Sequence, residues 1–200
     1  MCTLLLGADV KVRIRAWDGS EAGPAGAMCL DVRSRQAVRR LLHQLNQLGL
    51  GRAYVAGEID VDSDLFEILE QFEAVVIPTR SSSQLSFIDS YVFPDSDLSP
   101  IGSTVSVLEN SGFEVRDDEA LRERYPRTLR AWAHNLDEHW DEAVALVGEG
   151  RARVWRLYIT ASALSFEQGN IGLHQVLAVR PGLDGHSGMP PMRQDWLGVR

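Results

Sequence analysis

The sequence predicts an α+β fold in two parts, a small N-terminal domain followed by C-terminal helices and antiparallel strands. Three observations predict it. Short segments in which apolar and charged residues alternate are typical of half-buried strands. Longer segments with an apolar residue at every third or fourth position are typical of amphipathic helices. A serine cluster at residues 81–83 marks a change of composition between the two parts.

The N-terminal domain is predicted to span residues 1–72 and to open with two strands. The segment VKVRIRAW, residues 10–17, alternates apolar and charged side chains, and AMCLDV, residues 27–32, follows a glycine-rich loop as a second strand. Ser34 stands at an N-cap position before the next apolar periodicity, which predicts a helix there. The glycines of GLG, residues 49–51, predict the end of that helix.

A shorter helix and a junction follow. Ser63 is the predicted N-cap of this helix. The side chains of its apolar face are Leu65, Ile68, Leu69 and Phe72. Residues 73–86, EAVVIPTRSSSQLS, combine a β-branched run, a proline and the serine cluster, which is the composition of a linker. We therefore predict a domain junction at 73–86, a second part over 87–181 and a tail over 182–200.

The second part is predicted to begin with a loop at 87–100, where FIDSYVFPDSDLSP is rich in aromatic and turn-forming residues. Ser99 and Pro100 open a helix that stops at Gly112, and the following FEVRD is a predicted strand. The last strand is predicted over 171–179. Two closing strands around helices predict the antiparallel edge of a sheet.

A proline marks the start of the longest predicted helix. Apolar residues recur at every third or fourth position from 126 to 147, which predicts one helix there, and a second helix is predicted at 151–168. Because the residue before a proline is disfavoured in the α conformation, Tyr125 is predicted to lie at the corner between a short helical turn, residues 119–124, and the helix that begins at Pro126. The corner fixes the position of the tyrosine side chain.

Composition and charge limit the classes of function. The net charge is −8, with a modest excess of +4 over residues 1–52, and we expect no nucleic-acid partner. Cys2 and Cys29 cannot form a disulfide framework, and no charged segment precedes a long apolar stretch, so we expect a cytoplasmic protein. No run approaches the roughly 18 apolar residues of a membrane span, so membrane contact is expected to be peripheral.

The residues that commonly carry chemistry predict no site by their spacing. His134 and His139 are five residues apart on a predicted helix and face different directions, so we expect no zinc site. His174 is predicted to be a packed or hydrogen-bonded residue of the last strand. The Gly-x-Gly pairs at 49–51 and 148–150 follow helices rather than strands, so neither predicts a nucleotide-binding turn.

Four aromatic residues of the predicted helices have two interpretations. They are Trp132, Trp140, Trp155 and Tyr158. Such side chains can line a groove for an acyl chain, but helical spacing of aromatic residues is also that of a packed core. The spacing favours core packing, and the acyl-chain groove is the alternative.

Six consecutive blocks of the chain resemble one enzyme family. They are VRIRAWDGSEAGP, LGLGRAYVAGEIDVDSDLF, FIDSYVFPDSDLSPIG, SGFEVRD, LRERYPRTLRAW and RARVWRLYITASALSFEQGNIGLHQVLAVRP. In order, they resemble the cyclopropane-fatty-acyl-phospholipid synthases, relatives of the mycolic acid cyclopropane synthases. The first two resemble the small N-terminal domain of these enzymes, and the other four resemble the C-terminal end of their Rossmann-like methyltransferase domain. The core of that domain, with its glycine loop for S-adenosylmethionine, has no counterpart between Glu73 and Ser86.

The resemblance implies a role for Tyr125. Enzymes of this family transfer the methyl group of S-adenosylmethionine to a cis double bond of a phospholipid acyl chain, and a bound bicarbonate removes a proton as the cyclopropane closes. Of the side chains that hold bicarbonate in the family, only the tyrosine carries over, to Tyr125 in RYPRTL. The resemblance also implies membrane phospholipid acyl chains as partners, contacted at the inner membrane face. A tyrosine that only packs at the helix corner is the alternative.

Three functions remain open. The first is a cyclopropane synthase that is shortened internally and is not catalytic alone. The second is a non-catalytic module that binds lipid or pairs with an intact homologue, for which a basic N-terminal segment and amphipathic helices suffice. The third is a decayed product that folds poorly because its strands have lost their neighbours. Binding of S-adenosylmethionine distinguishes the first from the others, and sedimentation with liposomes distinguishes the second from the third.

We expect the isolated protein to bind no S-adenosylmethionine at concentrations up to about 1 mM, because the sequence contains no glycine-rich turn between a predicted strand and a helix. Isothermal titration calorimetry measures this binding directly. A micromolar isotherm would contradict the expectation, since it would require a cofactor site of another kind.

Overall fold

The computed structural model describes residues 12–43, 47–71, 87–94 and 98–197. In chain order the elements are β1 (Val12–Ala16), β2 (Glu21–Ala22), β3 (Met28–Val32), α1 (Arg35–His43), α2 (Gln47–Val55), β4 (Ile59–Val61), α3 (Leu65–Gln71), α4 (Phe87–Tyr91), α5 (Ile101–Asn110), β5 (Glu114–Ala120), α6 (Tyr125–Glu138), α7 (Trp140–Val147), α8 (Glu149–Glu167), β6 (His174–Val179) and α9 (Arg193–Leu197). The chain divides into two compact units, Met1–Ser96 with Arg122–Ile171 and Asp97–Leu121 with Gly172–Arg200. Helices and separate sheets in one chain are typical of an α+β protein.

The first unit contains a four-stranded sheet in the order β2-β1-β3-β4. β1 pairs in parallel with β3, and the other two pairings are antiparallel. Both N-terminal strands predicted from alternation are thereby confirmed over their described residues. Arg15 on β1 lies opposite Asp31 on β3 and binds both of its carboxylate oxygens at 2.7 Å. This hydrogen-bonded ion pair holds the pKa of the Asp31 carboxyl below its usual range and fixes the register of the two strands.

The predicted caps of two helices have different outcomes. Ser34 caps α1 as predicted, because its hydroxyl oxygen accepts a hydrogen bond from the backbone N–H of Ala37 at 3.1 Å. The prediction that Ser63 caps α3 is wrong. The carboxylate of Asp64 accepts the hydrogen bond from the N–H of Phe66 at 2.9 Å instead. Asp64 immediately precedes the first helical residue and reaches the free N–H groups of the first turn, whereas Ser63 lies one residue too early.

The glycines of residues 49–51 lie inside α2, so the helix end predicted there is wrong. A methyl group added at Gly51 would collide with the ring of Phe87. The glycine therefore permits α4 to approach α2 closely and does not form a turn. The loop predicted at 87–100 is also wrong over α4, because Phe87 is buried at this contact and its ring stacks on that of Tyr91 at 5.0 Å.

Two helices, α6 and α7, replace the single helix predicted over 126–147. His139 between them has φ −110° and ψ 31°, and its Nδ1 lies 2.9 Å from the carbonyl oxygen of Asn135. The apolar periodicity continues across this break, so the sequence pattern does not reveal it. The helical turn predicted at 119–124 is wrong as well, since β5 occupies its first two residues and α6 begins at Tyr125 itself.

The most deeply buried helix of the first unit is α8, which confirms the helix predicted at 151–168. Twelve of its 19 residues are buried. It packs against α6, α2 and α3, and its residues Val154, Leu157, Ala161 and Leu164 belong to the same hydrophobic cluster as buried side chains of β3, β4, α2 and α3. Removal of this apolar surface from water favours the folded first unit.

A buried arginine joins α8 to the sheet. The side chain of Arg153 is 7% exposed, and its guanidinium donates to the carboxylate of Asp60 in β4 at 2.7 Å. The same guanidinium donates to the backbone carbonyl of Tyr54 at 3.1 Å and lies 4.9 Å from the centre of the Tyr54 ring. Arg33 binds the same carboxylate at 2.7 Å. One carboxylate therefore ties α8, β4 and the end of β3 together, and it compensates a buried positive charge.

The second unit consists of α5, the strands β5 and β6, and the C-terminal segment that contains α9. The antiparallel pairing predicted for the closing strands is confirmed, although β6 begins at His174 instead of residue 171. α5 confirms the helix predicted to open at Ser99 and Pro100 and to stop at Gly112. Arg116 on β5 attaches the predicted tail, because its guanidinium donates to the Ser187 hydroxyl and the Pro190 carbonyl, both at 3.1 Å.

The predicted domain junction at 73–86 lies outside the described residues and stays a prediction. The first unit also contains α6, α7 and α8, which follow that junction in the sequence. None of the helices in the described part of the chain combines the length and the apolar character that a membrane span requires.

We expect Asp60→Ala to lower the free energy of unfolding by about 3 kcal/mol, because it leaves the buried guanidinium of Arg153 without its main charge partner. Glu21→Ala is the matched control. It removes a partly exposed partner of Arg13 and should cost less than about 1 kcal/mol. Urea unfolding followed by circular dichroism measures both. Equal losses in the two variants would contradict a special role for the buried pair.

Candidate functional site

Tyr125, the candidate residue from the sequence, is the first residue of α6 and is partly buried. Its ring meets that of Phe166 on α8 edge to face, with centroids 5.0 Å apart and an interplanar angle of 76°. It meets the ring of Trp132, two turns along α6, at 6.2 Å and 81°. No described residue forms a hydrogen bond with the Tyr125 hydroxyl. The ring is therefore held on two sides, and the described residues leave the hydroxyl to a ligand.

A second tyrosine lies near it. The ring of Tyr158 on α8 makes edge-to-face contacts with Trp155 and Phe93, both at 5.7 Å. Burial raises the pKa of the Tyr158 hydroxyl, an effect that a hydrogen bond with Ser162 opposes and the nearby Tyr125 reinforces. The hydroxyl of Tyr158 is therefore a neutral hydrogen-bond donor at physiological pH.

These rings form two groups of contacts, one around Tyr158 and one around Tyr125, and α8 contributes to both; together we call them the aromatic face. Its members are Phe93, Tyr125, Trp132, Trp155, Tyr158 and Phe166. Its α8 members, together with Ser162, recur at intervals of three or four residues, which places them on one side of the helix. Ser162 is buried among them. The face thus combines three hydroxyl groups with an apolar wall.

The rim of the aromatic face is open to solvent. Trp132 is 49% exposed and Phe93 is 45% exposed. Core packing, the favoured interpretation of the aromatic residues, is therefore wrong for Trp132, because no described residue covers half of its surface. Trp140 does not join this face through any described ring contact, and its indole packs instead against the guanidinium of Arg156, 5.8 Å from the ring centre. Helical periodicity alone does not distinguish the solvent-exposed ring of Trp132 from the ring of Trp140, which packs against a guanidinium.

Sequence reasoning missed Phe93, Ser162 and Phe166. Phe93 lies in the segment predicted as a loop, so nothing predicted its contact with α8. The other two continue the helical spacing of Tyr158 at successive intervals of four residues. That spacing is the one signal that could have identified them before the structure was known.

The described histidines and cysteine occupy other settings. His174 on β6 lies 3.1 Å from the carboxylate of Asp118 on the neighbouring strand, as expected for a hydrogen-bonded strand residue. His134 pairs with Glu138 at 3.3 Å on an exposed surface of α6. Burial raises the pKa of the Cys29 thiol, which disfavours the thiolate that nucleophilic chemistry needs. The described residues include no group of three or more histidine, cysteine or acidic side chains that could hold a metal ion.

The turns that lead from a strand into a helix decide whether a nucleotide cofactor fits. In the described part of the chain the short turns of this kind are residues 33–34, 62–64 and 121–124, and none of them contains a glycine. The connection from β6 to α9, residues 180–192, contains glycines, but it is a long loop that leads to a helix of only five residues and is not a tight turn. A cofactor of this kind needs glycines so that the backbone can approach its charged groups. Gly148, with φ 80°, ends α7 as predicted for a helix stop. The described residues therefore do not fit S-adenosylmethionine by a glycine-rich turn.

Known proteins resemble the chain over its central and C-terminal parts. The family model described as mycolic acid cyclopropane synthetase matches residues 67–176. A probable fatty acid methyltransferase of Pseudomonas putida is 45% identical over 109 residues, which are 54% of this chain and 28% of the relative. A probable fatty acid methyltransferase of Mycobacterium tuberculosis is 44% identical over 110 residues, which are 55% of this chain and 26% of the relative. The chain thus spans about a quarter of the length of these relatives.

Solved structures give a weaker likeness. The cyclopropane synthase MmaA2 from Mycobacterium tuberculosis superposes with a TM-score of 0.44 and 22% identity, over 78% of this chain and 45% of that protein. Mycolic acid cyclopropane synthase CmaA1, complexed with SAH and CTAB, gives the same TM-score at 19% identity. Because the family model matches more than half of the chain, the protein belongs to the mycolic acid cyclopropane synthetase family.

Proposed function

We propose that the protein is an internally shortened relative of the S-adenosylmethionine-dependent cyclopropane synthases and is not catalytic alone. The family reaction transfers a methylene group from S-adenosylmethionine to a cis double bond of a phospholipid acyl chain, in lipid biosynthesis. The observation that carries the proposal is Tyr125, whose hydroxyl has no hydrogen-bond partner among the described residues and whose ring lies within an aromatic face, in a chain of this family. The names of two relatives as fatty acid methyltransferases support an acyl chain as substrate.

The hydroxyl groups of the aromatic face fit a small oxyanion. Tyr125 has no hydrogen-bond partner among the described residues, and Tyr158 stays protonated because burial raises its pKa. The two tyrosines offer O–H donors beside apolar rings, where hydrogen bonds to a charged ligand are stronger than in water. Bicarbonate bound at Tyr125 would supply the base of the family reaction. The chain's own contribution is to orient that ligand and to exclude water.

The aromatic face also fits the other reactant, an acyl chain. Its rings present apolar surface that an acyl chain can contact, and the half-exposed Trp132 and Phe93 leave that surface accessible from solvent. A dry wall protects a cationic carbon from water while the reaction proceeds. The protein would be cytoplasmic and would contact membrane phospholipids peripherally, at the inner face of the membrane.

The cofactor does not fit the described residues, and we derive no step through it. The reason is that the short strand-to-helix turns at 33–34, 62–64 and 121–124 contain no glycine, and that the glycines of residues 180–192 lie in a long loop before a five-residue helix. We propose that an intact homologue supplies the cofactor domain where activity occurs. This chain would then contribute one wall of the acyl site and Tyr125.

A non-catalytic lipid-binding or partner-binding module is the second candidate. The half-exposed rings of Trp132 and Phe93 favour it, because an apolar rim of this kind binds lipid or protein without any need for the tyrosine hydroxyl. Liposome sedimentation with and without Trp132→Ala tests this candidate. Lipid binding that depends on Trp132 in a chain with no complemented activity would favour the module over the enzyme.

We expect Tyr125→Phe to reduce any lipid cyclopropanation or methylation by about ten- to a thousandfold when an intact homologue complements the chain. The substitution removes one hydrogen bond to a charged ligand beside apolar rings. The ring contacts with Phe166 and Trp132 do not involve the hydroxyl and should persist. Product is measured by mass spectrometry of phospholipid acyl chains.

The matched control is Tyr91→Phe, which removes a hydroxyl from α4 at a ring stacked on Phe87. It should leave the activity unchanged, and both variants should keep the helix content of the parent protein. Full activity in Tyr125→Phe would mean that this tyrosine only packs at the start of α6. An equal loss in both variants would indicate a general defect of the fold.

A further inference from the structure

A cavity lies in the core of the first unit, away from the aromatic face. Its volume is about 50 Å³, and it lies between α2, α3, α8 and the strands β3 and β4. Its described lining is aliphatic apart from Gly51 and Tyr54. The hydroxyl of Tyr54 is engaged elsewhere, because it accepts a hydrogen bond from Arg156 at 3.3 Å. The surface that a ligand in the cavity would contact is therefore almost entirely apolar.

The size and polarity of the cavity restrict its occupant. A cavity without polar partners stays dry and takes apolar ligands. An engineered cavity that holds benzene has about 150 Å³, so this one, at about 50 Å³, is too small for a six-membered ring. It has room for the last few carbon atoms of an unbranched chain. The cavity is partly open, so the remainder of such a chain can leave it.

We propose that this cavity binds the methyl end of an unbranched alkyl chain. Protein interiors are close-packed, so a void shared by five secondary-structure elements is a specific feature of this core. The position of Leu157 shows that the site is separate from Tyr125. Leu157 lines the cavity and is 5% exposed, whereas its neighbour Tyr158 belongs to the aromatic face. The inference goes beyond the proposed function and holds whether or not Tyr125 binds an anion.

Methyl NMR of the full chain with labelled isoleucines tests the proposal, with sodium octanoate below its micellar concentration as the probe. Ile59 and Ile68 line the cavity, and we expect their methyl resonances to shift in a saturable manner. Ile159 on α8 is also buried but does not line the cavity, and its resonance should stay in place. Cyclohexanecarboxylate carries a ring and should leave all three resonances unmoved.

A pair of valines provides matched variants. Val61 lines the cavity and Val55 does not, and both are partly buried against the same core. Val61→Phe should fill the cavity and weaken octanoate binding at least tenfold, while Val55→Phe should change it less than twofold. Urea midpoints establish that each variant is folded. Should Val61→Phe fail to fold, the comparison of octanoate with cyclohexanecarboxylate in the unaltered protein still decides the question.

Besides equal shifts with cyclohexanecarboxylate, three results would overturn the proposal. One is the absence of a saturable shift at Ile59 and Ile68 up to about 10 mM octanoate, a concentration at which weak ligands register. Another is equal affinity in the folded Val61→Phe protein. The third is loss of the octanoate response in Trp132→Ala, because binding would then belong to the aromatic face. The proposal would be supported by saturable shifts of the Ile59 and Ile68 methyl resonances that persist in Trp132→Ala and disappear in Val61→Phe.

Discussion

The buried ion pair between Arg153 and Asp60 is the interaction on which the first unit depends. A guanidinium that is 7% exposed needs a carboxylate and further acceptors, and Asp60 and the Tyr54 carbonyl provide them. Because Arg153 sits in the first turns of α8 and Asp60 in β4, the pair sets where the most deeply buried helix meets the sheet. The pair thereby positions the later residues of α8. Arg156 adds a second attachment, because its guanidinium binds the carboxylate of Asp137 in α6 at 2.7 Å.

The placement of α8 gives the helix two different surfaces. Leu157 lines the apolar cavity of the core, while Tyr158, Ser162 and Phe166 lie on the side of α8 that carries the aromatic face, where Phe166 contacts Tyr125. Successive residues of a helix are separated by about 100°, so one helix can serve both surfaces only if its rotation is fixed. The buried ion pair fixes that rotation. Stability and the candidate site therefore share one structural cause in this chain.

The sequence predicted the strands β1 and β3, the helix α8 and the cap at Ser34, because periodicity and capping are local properties. It did not predict the break at His139, since the apolar pattern continues across it. Gly51 was misread as a helix end because its requirement, close approach to Phe87, is a tertiary contact. The candidate site was predicted only in part. Tyr125 came from a family resemblance, whereas its neighbour Phe166 lies on another helix and required the structure.

We propose that this chain retains one wall of a lipid-modifying site without its cofactor domain. It is tested most directly by producing the protein in a bacterium that makes unsaturated phospholipids but no cyclopropane or methyl-branched acyl chains. Gas chromatography with mass spectrometry of the extracted acyl chains is the measurement. We expect an acyl-chain profile identical to that of cells without the protein. The appearance of chains that have gained one carbon at the double bond would contradict it, because the chain would then be a complete enzyme.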